Sequence, residues 1–187
     1  MISFVYFDLG GVVILDFSGT NKWEIVKKEW GITDEYWDEF EPKLNAGKEK
    51  INPDFLDAFV SRFEVNKSIW PVIDQIHKKC RIGLLTNMYP GMFEAIQKRG
   101  LIPKVNWDVI INSSLVGLAK PDPEIFKLAD HQTDVKGNEI LFVENSPRHI
   151  QASQSFGWQT FLYDPTHPIQ SSQNLLEFFN SSISNTR

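Results

Sequence analysis

The sequence is short of the features that mark disulfide-bonded, membrane-spanning or nucleic-acid-binding proteins. It has a single cysteine, Cys80, so no disulfide can form within the chain. No apolar run approaches the roughly 20 residues that cross a bilayer, and no charged leader precedes a long apolar stretch. Acidic residues outnumber basic ones by 24 to 19, which argues against a nucleic-acid partner. We therefore expect a cytoplasmic protein that acts on neither membranes nor nucleic acids.

The remaining composition is that of an ordinary globular domain. The chain has 187 residues, of which 42% are hydrophobic and 23% charged, enough for one core and a small insert. After an apolar start, ISFVYF, the second half alternates continuous apolar strands with amphipathic helices; the strands are RIGLLTN, WDVIINS, EILFVEN and WQTFLYD. This alternation is typical of an α/β fold with a doubly wound, Rossmann-like parallel sheet.

A different pattern occupies residues 16–71. Three helical segments follow one another there, NKWEIVKKEW, DEYWDEFEPKLN and PDFLDAFVSRF, and Asn52-Pro53 is a good helix start. We predict a small α-helical cap at 16–71, inserted after the first strand, and a core domain made of 1–15 and 72–187. Trp23, Trp30 and Trp37 are expected to form the core of this cap rather than to face a substrate. The last eight or so residues are polar and expected to fray.

Polar side chains follow the strands and converge on one edge of the predicted sheet, where ligands of open parallel sheets bind. They are Asp8, Thr86, Asn87, Lys120, Glu144 and Asn145. A carboxylate can be a covalent nucleophile, a hydroxyl and an ammonium can hold transferring oxygens, and a hard divalent cation can offset the repulsion between two anions. The set therefore suits phosphoryl transfer, with Asp8 as the nucleophile.

Four segments resemble, in order, the motifs of the haloacid dehalogenase-like hydrolase superfamily: FDLGGVV, LLTN, GLAKPDPEIF and FVENSPRHIQAS. Within the cap, NAGKEKINPDFLDAF is similar to sugar-phosphate phosphatases and to the amino-terminal domain of epoxide hydrolases. The resemblance implies that Asp8 forms an aspartyl-phosphate, that Thr86 binds the phosphate and that Lys120 supports both. Asn87 either caps the next turn or touches the phosphate.

The resemblance also implies a magnesium ion, held by Asp8, the Gly10 carbonyl and the Glu144-Asn145 pair. Two positions depart from the common pattern. Most phosphatases of the family have an aspartate at the position of Gly10, where it acts as general acid and base, and losing such a group costs about 10²–10⁴-fold. Asn145 replaces a metal-binding acid and brings no charge, so we expect weak magnesium binding. Whether Glu144 compensates is left open.

Three functions follow from these residues. The leading hypothesis is a magnesium-dependent phosphatase of a small phosphorylated metabolite, with Asp8, Thr86 and Lys120 as its catalytic residues. The alternative is a catalytically impaired relative that binds a phosphorylated ligand or a protein partner. A metal-free 2-haloacid dehalogenase is the third, although such enzymes usually carry an arginine soon after the nucleophile and the first arginine here is Arg62. His149 is expected on a surface or helix face, and the oligomeric state is left open.

Overall fold

The computed structural model of the protein describes residues 1–184 and is built around a five-stranded sheet. Its strands are β1 (Phe4–Phe7), β4 (Arg81–Thr86), β5 (Val109–Asn112), β6 (Ile140–Glu144) and β7 (Gln159–Leu162). Their order is β5-β4-β1-β6-β7, and every neighbouring pair is parallel. The predicted α/β class with a doubly wound parallel sheet is confirmed.

Strand β1 lies at the centre of the sheet and sends alternate side chains to opposite faces. Val5 and Phe7 belong to the apolar cluster on one face, and Phe4 and Tyr6 to the cluster on the other. All four are fully buried, because helices cover both faces of the sheet. Six helices of the core flank these faces or connect the strands: α4 (Trp70–His77), α5 (Met92–Lys98), α6 (Ser113–Val116), α7 (Pro123–Thr133), α8 (Pro147–Gln154) and α9 (Pro168–Ser184).

The register places the residue after β1 between two other strand ends. Phe7 is level with Leu84 of β4 and with Val143 of β6. The chain leaves β1 toward β4 on one side and returns to β6 on the other, so the crevice of the sheet opens beside Asp8.

The three cap helices are α1 (Lys22–Trp30), α2 (Asp34–Asn45) and α3 (Pro53–Val60). They lie between two short antiparallel strands, β2 (Ile14–Leu15) and β3 (Glu64–Val65). Asn52 begins α3 as its sequence indicates, since its side chain accepts from the N–H groups of Asp54 and Phe55 at 2.8 and 3.2 Å. The domain boundaries at 15/16 and 71/72 stay a prediction; the first directly follows β2, and the second falls within α4, beyond β3.

Aromatic rings fill the cap as its tryptophans predict. Trp37 is buried, its ring centroid 4.8 Å from that of Trp23 and 5.8 Å from that of Phe55. Trp30 packs edge-on against Phe55 and stays 37% exposed. Helix α9 continues to Ser184, so most of the tail expected to fray is helical, and residues 185–187 lie outside the described chain. Within residues 1–184, no helix is long and apolar enough to cross a membrane.

Candidate active site

One buried cation joins two buried carboxylates at the carboxyl edge of the sheet. Lys120 Nζ lies 2.9 Å from Asp8 Oδ1 and 2.6 Å from Glu144 Oε2. The side chains of Lys120 and Glu144 are fully buried, whereas that of Asp8 is 11% exposed. The three residues come from the end of β1, the loop before α7 and the end of β6. The structure therefore brings together three of the residues that the sequence singles out.

Asn87 fixes the backbone of the lysine. Lys120 N–H donates to Asn87 Oδ1 at 2.8 Å, and Asn87 Nδ2 donates to the Lys120 carbonyl at 2.9 Å. This pair of hydrogen bonds holds the loop before α7 against the end of β4. The Asn87 side chain thus positions Lys120, a contact that neither of the two roles considered from the sequence includes.

Glu144 is surrounded by donors. Its Oε1 accepts the N–H groups of Asn145 and Ser146, both at 2.9 Å. Its Oε2 contacts Lys120, and also His149 Nδ1 at 3.0 Å. In the described chain Glu144 serves as the anchor of Lys120, with both oxygens occupied.

His149 lies on helix α8, in agreement with the expected helix-face position, but the sequence interpretation missed the contact that it makes. Its side chain is 19% exposed and contacts Glu144. The signal that could have found it is its place in the first turn of α8, five residues after the glutamate, where the turn brings the ring back over the strand end.

Asp8, Lys120 and Glu144 form a charged triad in which the two carboxyl groups differ in pKa. Burial and the charge of Glu144 raise the pKa of Asp8 to about 7, although Lys120 opposes this. Burial also disfavours ionised Glu144, but Lys120 and His149 outweigh it and hold the pKa of this carboxyl at about 2. The pKa of Lys120 is raised, since the two carboxylates outweigh its own burial. Glu144 therefore keeps its charge, and Asp8 titrates near neutrality.

Thr86 ends β4 on the other side of Asp8. Its side chain is 1% exposed, and its hydroxyl has no hydrogen-bond partner among residues 1–184. An unpaired buried hydroxyl is costly unless something else satisfies it. A phosphoryl oxygen held beside Asp8 and Lys120 would be such a partner.

The amide of Asn145 faces the Gly10 carbonyl. With its nitrogen on that side, it donates to Gly10 O at 3.2 Å and to Glu144 Oε1 at 2.9 Å, while its oxygen accepts from Ser18 Oγ at 3.0 Å. If the amide were turned over, the Asn145 side-chain oxygen would lie 3.2 Å from the Gly10 carbonyl oxygen. This is close to the separation of about 2.9 Å between neighbouring oxygen ligands of Mg²⁺ with bonds of about 2.05 Å. The assignment follows the hydrogen-bond network, so a cation could turn the amide over.

These residues therefore fit a magnesium ion bound by Asp8, the Gly10 carbonyl and the Asn145 amide oxygen. Two of the three ligands would be neutral. Among residues 1–184, no three His, Cys, Asp or Glu side chains cluster in a way that could hold a metal. The fit thus depends on uncharged oxygens, which favours weak binding.

A cavity of about 700 Å³ opens above this edge, between the core and the cap. Its charged and titratable lining residues are Asp16, Glu41, Lys120, Asp122, Arg148 and His149. Its large apolar and aromatic ones are Ile14, Phe17, Phe59, Phe63, Met88, Tyr89 and Met92. None of the three cap tryptophans lines it. Asp16, which sequence reasoning passed over, has a pKa raised by burial, although hydrogen bonds from Ser18 oppose the shift.

The haloacid dehalogenase-like hydrolase family matches residues 5–157 of this chain. The chain belongs to this family. The phosphorylated carbohydrates phosphatase of Thermotoga maritima is 24% identical over 140 residues, which are 74% of this chain and 64% of that protein. The matched regions span between 11% and 64% of the length of the curated relatives.

Two solved structures show the same haloacid dehalogenase-like fold. A HAD family enzyme of Bacteroides thetaiotaomicron, in complex with magnesium and inorganic phosphate, has a TM-score of 0.73 at 20% identity, over 87% of this chain and 94% of that one. A 2-haloacid dehalogenase of Pseudomonas syringae pv. Tomato has a TM-score of 0.64 at 16% identity, over 89% and 87% of the two chains. The four motifs thus predicted the family correctly.

Proposed function

We propose that this haloacid dehalogenase-like hydrolase is a phosphatase of small phosphorylated metabolites, with Asp8 as its nucleophile. The observation that carries the proposal is the pair of groups beside Asp8. Lys120 lies 2.9 Å from the nucleophile, and the buried Thr86 hydroxyl has no partner within the described chain. A phosphoryl group at this position would receive a positive charge from one side and a hydrogen bond from the other.

The reaction consists of two displacements at phosphorus. A carboxylate oxygen of Asp8 attacks the phosphorus while the bond to the leaving-group oxygen breaks, which leaves an aspartyl-phosphate and an alkoxide that takes up a proton to become an alcohol. Water then attacks the phosphorus and gives up a proton, the bond to Asp8 breaks and inorganic phosphate leaves. Lys120 offsets the negative charge that Asp8 and the phosphoryl group bring together, and Thr86 donates to a phosphoryl oxygen.

Magnesium is part of this proposal, through Asp8, the Gly10 carbonyl and Asn145. Bound there, it would supply positive charge that lowers the repulsion between the carboxylate and the phosphate. The Bacteroides enzyme, which shares the fold, was solved with magnesium and phosphate together. The cavity of about 700 Å³ is of the size that holds a small metabolite. Three of its aromatic residues, Phe17, Phe59 and Phe63, lie in the cap, and Tyr89 lies in the core.

The test is phosphate release from a panel of phosphorylated metabolites with millimolar magnesium. Asp8→Asn should lower the release by at least about 10³-fold, because the carboxamide cannot form the covalent intermediate. Asp38→Asn is the matched control, since Asp38 is an exposed aspartate on α2, and it should behave as wild type.

Three outcomes would contradict the proposal. Equal release by wild type and Asp8→Asn would exclude the nucleophile. Binding of inorganic phosphate without any turnover would favour a catalytically impaired relative. Halide release from 2-chloropropionate, with no phosphate release from the panel, would favour a dehalogenase.

A further inference from the structure

The side-chain position of Gly10 is already filled by another residue. A carbon placed at the Cβ position of residue 10 would lie 2.5 Å from Asp16 Oδ2 and 3.4 Å from Asp16 Cγ. The first of these distances is shorter than non-bonded atoms approach, so no side chain fits at residue 10 while Asp16 stays in place. The carboxylate of Asp16 therefore occupies the space into which a residue-10 side chain would point.

A tight turn brings the two residues together. After β1 the chain folds back, and the Ile14 N–H donates to the Leu9 carbonyl at 3.0 Å. Strand β2 then pairs with β3, which fixes the backbone just before Asp16. The N–H of Ser18 donates to Asp16 Oδ1 at 2.8 Å. The other oxygen, Oδ2, is the one that faces Gly10.

Asp16 also faces the substrate space. It is half-buried and lines the same cavity as Gly10 and Lys120. Lys120 in turn contacts the proposed nucleophile. A ligand bound between Lys120 and the cap would thus contact Asp16. Gly10 lies beside it but has no side chain that could act on the ligand.

We propose that Asp16 is the proton-transfer residue of this site. It gives a proton to the leaving-group oxygen as the bond from that oxygen to phosphorus breaks, so that a neutral alcohol departs. The resulting carboxylate then takes a proton from the water that attacks the aspartyl-phosphate, which restores the acid and releases phosphate. The assignment rests on the phosphatase function proposed above.

Other titratable groups of the cavity are less suited to this role. Glu41 lies on the cap and accepts the Tyr89 hydroxyl at 2.7 Å. His149 contacts Glu144 at 3.0 Å. Asp16 is the residue whose carboxylate fills the space that a side chain of residue 10 would occupy.

The experiment compares leaving groups. A general acid matters most when the leaving group is a poor one, so Asp16→Asn should lower kcat/KM by about 10²–10³-fold for an alkyl phosphate such as glycerol phosphate. For 4-nitrophenyl phosphate, whose leaving group needs no proton, the loss should be below about tenfold. Glu41→Gln, which removes another acidic group of the cavity wall, should leave the ratio between the two substrates as in wild type.

A swap tests the position itself. Asp16→Gly should show the same selective loss, and adding Gly10→Asp to it should restore at least about tenfold of the alkyl phosphate rate, because the vacated space then admits the new side chain. Gly10→Asp alone should not exceed wild type, since Asp16 Oδ2 blocks its side chain.

The outcomes separate this inference from the function on which it rests. If Asp16→Asn hydrolyses the alkyl phosphate as well as wild type, or loses both substrates equally, the proton-transfer role is overturned while the phosphatase stands. If Asp16→Asn does not fold, the swap decides: failure of the double variant to regain alkyl phosphate activity over Asp16→Gly overturns it. If wild type and Asp8→Asn release phosphate alike, both proposals fail.

Discussion

The ends of strands β6 and β4 flank the nucleophile, and their polar side chains differ in how many hydrogen-bond partners they have. At the end of β6, Glu144 receives two backbone N–H groups, a lysine and a histidine. At the end of β4, the Thr86 hydroxyl is buried and receives nothing within the described chain. The hydrogen bonds of the β6 side are complete, and its glutamate holds Lys120. Those of the β4 side are incomplete, because the Thr86 hydroxyl lacks a partner that a ligand would supply.

The largest expected effect comes from breaking the complete side. Lys120→Met would leave two buried carboxylates facing each other, so we expect a loss of about 3–5 kcal/mol in the free energy of unfolding at pH 8, measured with urea. Lys127→Met is the control. Lys127 and Glu124 form an exposed pair, 60% and 56% accessible, and breaking such a pair should cost below about 1 kcal/mol. Equal losses in the two variants would show that the buried lysine does not stabilise the triad.

The second effect depends on pH. The pKa of Asp8 is raised from 3.8 to about 7 in the folded protein. Its contribution to stability is therefore fully present below about pH 4 and is lost as the pH rises through about 7. Asp8→Asn has no such group. Its free energy of unfolding, relative to that of wild type, should therefore rise by about 2–4 kcal/mol as the pH goes from 4 to 8. Urea unfolding with a chelator present measures this, and a difference that stays constant across the range would exclude a raised pKa.

The third variant changes the amide of Asn145, which directly follows β6. Asn145→Asp cannot donate to the Gly10 carbonyl and puts a second carboxylate beside Glu144 Oε1, contacts of 3.2 and 2.9 Å. Without metal it should lose about 1–2 kcal/mol of stability, and magnesium should raise its melting temperature more than that of wild type. Asn138→Asp, an exposed change in the turn Gly137–Glu139, should show neither effect. Identical magnesium responses of Asn145→Asp and wild type would remove Asn145 from the metal site.

The smallest effect on stability belongs to the incomplete side. Thr86→Val removes a buried hydroxyl without a partner, so the free protein should be unchanged or more stable by up to about 1 kcal/mol, while stabilisation by inorganic phosphate should be lost. Thr133→Val is the matched control. Thr133 is also buried, but its hydroxyl donates to the Asp130 carbonyl at 2.9 Å, so this variant should lose about 1 kcal/mol. A larger loss for Thr86→Val than for Thr133→Val would show that its hydroxyl is satisfied in the free protein.

The sequence predicts those parts of the site that a strand delivers. Asp8, Thr86 and Glu144 each follow a continuous apolar run, and parallel strands bring such ends to one edge whatever the loops do. Lys120 lies in a loop and is predicted through its motif, GLAKPDPEIF. The sheet was predicted on the same ground, because buried strands and amphipathic helices alternate regularly.

The contacts made by turns were out of reach. Asp16 meets Gly10 only because the chain folds back at Leu9, and no periodicity in the sequence marks that turn. His149 contacts Glu144 because of its position in the first turn of α8. If the helix began one residue earlier or later, the ring would point in another direction. The orientation of the Asn145 amide depends on Ser18, which lies in the loop between β2 and α1. Such contacts depend on tertiary structure, and a composition or a motif does not carry them.

The most direct test of the account is to look for the covalent intermediate on Asp8. Wild-type protein would be mixed with a phosphate ester that it hydrolyses, and the reaction would be stopped with acid within the first turnover. The peptides of the protein would then be analysed by mass spectrometry. The account predicts a phosphoryl group on the peptide that contains Asp8, absent from Asp8→Asn and lost when wild type is allowed to complete the reaction. Phosphate release with no phosphorylated aspartate under these conditions, or with the label on another residue, would contradict it.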